Sequence, residues 1–370
     1  MRIFLLALSL SSLVIFANQV VAEDNHHPVG INIGSHGAHH AHGHAPIGVM
    51  GGHMHRKGEW MLTYRYMRME MKNSRDGTSS ISPEETATTV ANPFFGQPMQ
   101  PPTLRVVPTQ MTMQMHMFGG MYAPTDWLTF MVMGSYVKKD MDHVTFMGPA
   151  GTNVAGEFTT RSSGFGDTRL SGLIRLYDDD VHHFHLNAGI SLPTGSIGED
   201  DDVLTPTGAR PTLTLPYPMQ LGSGTFDLLP GITYSGRSQN ASWGAQYSAV
   251  IRLEDENHRD YSFGDEHRLT AWASYDWKPW LNTSLRIAGQ TIDKISGQDP
   301  QVVAPVQTAD PDNQGGERVN LLLGLNLTGH TGVLAGHRVS MEVGAPIYQD
   351  LNGPQLEADW VLTLGYQKVF

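Results

Sequence analysis

Residues 318–327 read RVNLLLGLNL. On an extended chain Val319, Leu321, Leu323, Leu325 and Leu327 share one face, while Arg318, Asn320 and Asn326 share the other. A strict period of two over ten residues is a strand, and about ten residues is one crossing of a bilayer by a tilted strand. Working outward, the same pattern recurs at 60–71, 109–121, 127–138, 166–177, 183–192, 225–234, 243–253, 266–277 and 281–291 before this stretch, and at 338–348 and 359–370 after it. The polar stripe carries an unusual number of charges: Arg65, Asp167, Arg169, Arg175, Arg252, Arg268, Arg286, Arg318, Arg338 and Glu342. A sandwich would bury the apolar stripe and expose these charges, whereas a membrane barrel turns the apolar stripe to lipid and the charges to an enclosed, hydrated lumen. The connections favour the second arrangement. Long ones such as 72–102 alternate with tight turns at 124–126, 178–182 and 278–280, the layout of long extracellular loops and short periplasmic turns. The expected fold is therefore all-β: a transmembrane antiparallel β-barrel of about 12 strands, 14 being the other count considered, with lumen-lining Arg65, Asp167, Arg169, Arg175, Arg252, Arg286, Arg318, Arg338 and Glu342.

Composition narrows the function. The chain has no cysteine, so disulfides, thiolate metal sites and cysteine nucleophiles are excluded. Its formal net charge of -12 argues against a nucleic-acid partner. Only 16% of residues are charged, against about 25% in ordinary soluble domains. Residues 1–22 carry one basic residue, Arg2, then an apolar core from Ile3 to Phe16, and small residues at Val20 and Ala22. That is the anatomy of a secretory signal peptide, too short to span a membrane. The expected organisation is a leader over 1–22, a flexible His-rich periplasmic segment over 23–58, and the barrel over 59–370, in the outer membrane of a Gram-negative cell. Phe370 closes a last strand whose Trp360, Leu362, Leu364 and Tyr366 share a face, like the C-terminal strands that outer-membrane assembly machinery recognises; Lys368 departs from that pattern. Lipid and lipopolysaccharide are the expected surroundings.

The runs Gly164-Phe165-Gly166-Asp167-Thr168 and Leu192-Pro193-Thr194-Gly195, with LGSGTFDLL at 221–229, follow one another in an order and spacing that resemble the outer-membrane transporters grouped as the phenol meta-pathway degradation family. The resemblance covers roughly 60–370. It implies an outer-membrane barrel that moves small, often hydrophobic compounds, and it carries over no ligand residue.

Two residue types are skewed. Nine of the 18 histidines fall between His26 and His55, and His36, His39, His40, His42, His44, His53 and His55 form a tract dense enough to bind copper or another borderline transition metal. Sixteen of 19 methionines lie between Met50 and Met147. Met67, Met69 and Met71 share the lumen face with Arg65, so that with Met54 they could extend a soft-metal path from the histidines. Met111, Met113, Met115 and Met117 alternate with Gln110, Thr112, Gln114 and His116, which places these four methionines toward lipid as apolar filler. The cluster of Asp178, Asp179 and Asp180 with His182, His183 and His185 reads as a solvated turn. Catalytic motifs are absent, although Ser284 and Ser340 sit on strands. The expected function is a channel or transporter for small solutes; the alternatives are a metal-handling barrel and a structural barrel that transports nothing.

Overall fold

The computed structural model describes residues 45–370. The leader and the histidines through His44 lie outside the described residues. Eleven continuous strands close the wall. They are β1 (Trp60–Gly77), β2 (Val106–Thr125), β3 (Leu128–Met147), β4 (Thr168–Asp178), β5 (His182–Leu192), β6 (Asp227–Ser238), β7 (Ala241–Arg252), β8 (Glu266–Lys278), β9 (Leu281–Ile292), β10 (Gly316–Thr328) and β11 (His337–Val369). Each pairs antiparallel with the next, and β11 pairs antiparallel with β1 to shut the ring. A ring built only of antiparallel neighbours needs an even number of staves. The 33-residue β11 supplies the extra one by folding back at Asn352 and Gly353, where the glycine takes φ +74°. Its outgoing arm pairs with β10 and its returning arm with β1. The arms also meet each other: the Val369 N–H donates to the Gly336 carbonyl at 3.0 Å, and the Gln349 side chain bonds both ways to the Ala358 backbone. The wall thus has twelve staves, as the periodicity led us to expect.

The stripes face as expected. Leu321, Leu323, Leu325 and Leu327 are all exposed on the outer surface, whereas Arg286 and Arg338 are buried inside. Aromatic side chains collect on the outside near the short-turn end, among them Trp60, Trp127, Trp277, Trp280, Tyr366 and Phe370, the girdle of a membrane interface. Trp60 stacks on Tyr122 with ring centroids 4.2 Å apart, and Trp60 and Phe370 exchange backbone hydrogen bonds, so the first and last staves are joined at that rim. No helix among the described residues is long and apolar enough to cross a membrane.

Three expectations are corrected. The stretch 139–165, read as a loop, contains the end of β3 and a further strand, Asn153–Phe165, which pairs with the upper part of β3 beyond the point where β4 leaves it. Of residues 45–58, read as part of a flexible periplasmic segment, 45–55 are folded inside the barrel and 56–58 sit exposed at its rim. And Met111, Met113, Met115 and Met117 face the lumen: they stand directly opposite Met71, Met69, Met67 and Arg65 on β1. The polar residues between them point outward because outward tyrosines satisfy them. The Tyr64 hydroxyl bonds His116 at 2.9 Å, and the Tyr66 hydroxyl donates to Gln114 at 3.0 Å.

Candidate functional site

The short-turn end of the lumen is filled by residues 45–55. Ala45, Ile47 and Val49 are buried, and Ala45 and Val49 pack on Trp272, which lies over Gly244. The wall grips mostly the segment's backbone. Arg338 donates to the Ala45 carbonyl at 2.8 Å, Gln246 to that of Met50 at 2.8 Å, and His185 Nε2 meets that of Gly51 at 2.8 Å. Arg65 donates to the Met50 sulfur at 2.7 Å. Gly48 lies against the Arg286 guanidinium and the Glu342 carboxylate, so a side chain there would have to displace that ion pair. Arg65, Gln246, Arg286 and Glu342 sit five residues in from the short-turn ends of their strands, roughly 17 Å, whereas Arg338 and His185 lie nearer the rim. The segment's root is fastened at the rim itself, where the Lys57 N–H donates to Asp126 at 2.9 Å, the Gly58 N–H to the Ala123 carbonyl at 2.7 Å, and the His55 N–H to Thr129 at 3.2 Å.

The long-loop end is closed by different chemistry. Phe94, Ile197, Tyr217, Tyr261, Ile295, Val302 and Val306, drawn from four loops, form a dry cluster over the mouth. Beneath it the turn Tyr217–Met219 dips into the lumen, held by Lys139, whose ammonium donates to the Pro218 carbonyl at 2.7 Å, and by Ser162, which donates to the Met219 carbonyl at 2.7 Å. Met219 then packs against Met111 and Met141.

Between loops and plug lies a cavity of about 270 Å³ with two unlike sides. One is apolar, with Met71, Met111, Met141, Leu351 and Leu356; the other carries Arg252, Glu266 and Arg318. Arg252 pairs with Asp227 at 2.7 Å and Glu266 at 3.6 Å, and Arg268 pairs with Glu266 at 2.6 Å. Arg169 lies within electrostatic reach of Arg268, Glu266, Asp167 and Asp227, and Arg318 within reach of Arg268.

Several charged residues read from the sequence as lumen lining are placed as follows. Arg286 pairs with Glu342, its Nε 3.1 Å from the carboxylate, with Glu342 only 1% exposed; with Arg65 and Arg338 this pair surrounds the plug. Arg175 shares a face with His185 and pairs with Asp178 near the short turn. Asp167 turns instead to the root of a loop, accepting from the Gly195 N–H at 2.9 Å and the Ser223 N–H at 2.8 Å. The Thr168 N–H donates to Thr194, and Thr225 to Asp227. The three runs that carried the family resemblance therefore meet in one hydrogen-bonded knot that anchors loop 193–226, a structural role rather than a ligand site.

Of the metal candidates, His53, Met54, His55, Met67 and Met69 fall among the described residues. The His53 and His55 rings are 5.0 Å apart and His55 bonds Glu59 at 3.4 Å, but no group of three His, Asp or Glu able to hold a metal occurs among the described residues. At the turn, Asp179 accepts an N–H bond from His182, a hydroxyl bond from Tyr177 and an N–H bond from Val181, which together lower its pKa to about 2. Its carboxylate is occupied in holding the turn.

The sequence reading missed the plug. Its one available signal was the uncharged, small-residue run 45–52 (APIGVMGG) just ahead of the first strand, which suits threading through a narrow lumen.

A family model described as "Putative MetA-pathway of phenol degradation" matches residues 129–304. Among solved structures, the chain is similar to the COG4313 outer membrane channel of Pseudomonas putida F1, at 13% identity and TM-score 0.56, over 86% of this chain and 98% of that one. It is also similar to the P. putida toluene transporter TodX, at 10% identity and TM-score 0.40, over 85% and 91% of the two chains. A FadL homologue from P. aeruginosa matches at 10% identity and TM-score 0.40, over 84% and 90%. No curated protein sequence matches the chain.

Proposed function

We propose that this protein is an outer-membrane channel through which small solutes diffuse passively, and that it catalyses no reaction. The observation that carries this reading is the cavity between plug and loops, one side thioether and aliphatic, the other guanidinium and carboxylate. The opposed charges set a field across the path, and the apolar side receives the body of a small, partly hydrophobic solute as it exchanges its water. Twelve staves enclose a narrow lumen, and the two closures narrow it further, so the channel selects small molecules and is no wide general porin. The chain reaches the outer membrane by export with removal of residues 1–22. It is assembled there through its C-terminal strand, and it meets lipopolysaccharide at its long loops. Passage requires residues 45–55 to shift, because they occupy the section of lumen that any solute must cross.

Reconstitution of the mature chain in planar bilayers tests this. Small ohmic steps interrupted by long closures are expected. A membrane that stays silent, with the protein shown to be inserted and heat-modifiable, would overturn the channel in favour of a barrel that only displays its loops.

A further inference from the structure

In β1 and β2 every methionine, and in β3 every one but Met147 at the strand tip, lies on the inward face: register places Met61, Met121 and Met131 side by side, and Met71, Met111 and Met141 likewise. The lipid-facing apolar positions of the same strands are filled otherwise, by Leu62, Tyr64, Phe118, Phe130 and Val132. If greasiness alone were required inside, leucine or valine would serve there as they do outside, valine with better strand propensity. The sequence puts sulfur on the lumen side and hydrocarbon on the lipid side, although Met71 and Met111 also pack there against Leu215, Met219 and Leu356.

Three pairs stand directly opposite across β1 and β2: Met67 with Met115, Met69 with Met113, and Met71 with Met111. Directly opposed residues have Cβ atoms about 4.5–5.5 Å apart, so two flexible thioethers of a pair can converge on one ion, and successive pairs form a ladder. Thioethers are soft, uncharged ligands that select d10 monovalent cations over Zn2+, Ca2+ or Mg2+. The three pairs themselves offer sulfur and no other side-chain donor. We propose that these three pairs form a binding ladder for a soft monovalent cation, Cu+ or Ag+, on one side of the lumen. This rests on the channel reading only in that the ladder lines the lumen. It also moves the expected metal path off the histidines and onto strand-borne sulfur.

The test is titration of the mature protein with Ag+ in chloride-free buffer, beside a variant carrying M67L, M69L, M71L, M111L, M113L and M115L. The natural chain should take up Ag+ at sites whose affinity falls at least tenfold in the variant, with Zn2+ uptake unchanged. Equal Ag+ binding by both chains would overturn the ladder. Should the variant fail to fold, methyl-labelled methionine in the natural chain gives a second reading. Ag+ should shift the lumen methyl resonances and spare that of Met341, which faces outward; unmoved lumen methyls, or an equal shift at Met341, would refute the proposal. Conductance of the natural chain keeps the two readings separate: a conducting barrel that takes up no Ag+ breaks the ladder alone, whereas Ag+ binding by a silent barrel breaks the channel alone.

Discussion

The two ends of the lumen are closed by opposite means. At the long-loop end, side chains from four loops bury one another in a dry cluster. At the short-turn end, a small-residue segment with three glycines is held chiefly by wall side chains bonded to its carbonyl oxygens. A dry cluster comes apart only with the loss of its whole buried area. A carbonyl held in a polar lumen can exchange its partner for water, at a net cost of only about 1 kcal/mol per bond. Opening the cap therefore costs more than shifting the plug, and the plug is the closure expected to yield first.

The largest effect is expected from Gly48→Leu. Its side chain has to push aside the buried Arg286–Glu342 pair or leave the lumen; with the segment expelled, single-channel current should rise several-fold with little change in unfolding temperature. If current is unchanged, residues 45–55 do not obstruct the path. Next, Tyr261→Ala empties a fully buried site in the cap and should cost about 3–5 kcal/mol by analogy with other large-to-small aromatic changes, read as earlier loss of heat-modifiable gel migration. An opened channel with unaltered stability would erase the distinction between the ends. Gln246→Leu removes one grip on the Met50 carbonyl and leaves that oxygen unpaired. An effect of about 1–2 kcal/mol should appear as roughly tenfold more frequent opening.

The smallest effect is in pH. Glu59 is held below its ordinary carboxylate range chiefly by its hydrogen bond with His55, at the root of the plug. A carboxyl lowered in the folded state contributes stability above its unfolded value, near 4.5, and loses that contribution as pH falls through the folded one. Opening should therefore become modestly more frequent in acid below about pH 4.5, and Glu59→Gln should remove that part of the response. An unaltered pH response in Glu59→Gln would place the acid sensitivity elsewhere.

Much of the wall was legible in the sequence because alternation is local. The leucines of β10, the paired arginines and even the joining of Trp60 to Phe370 follow from period-two patterns and strand parity. What escaped depended on distant partners. The strand Asn153–Phe165 carries no lipid stripe, since it extends β3 only on one edge. The inward turn of the β2 methionines was hidden because Gln114 and His116 look like lumen residues until Tyr66 and Tyr64 are placed beside them. The plug is too short for its alternation of Ala45, Ile47 and Val49 to stand out; it is gripped by Arg338, Gln246 and His185, each more than 130 residues away along the chain.

The fastening of Lys57 and Gly58 to the rim has a kinetic consequence. The obstructing segment rides on a tether only a few residues long, so once dislodged it stays at a local concentration in the millimolar range or above. Reclosure is then a first-order event, indifferent to how much protein the membrane holds, and a free peptide copying residues 45–55 would compete poorly for the vacated seat.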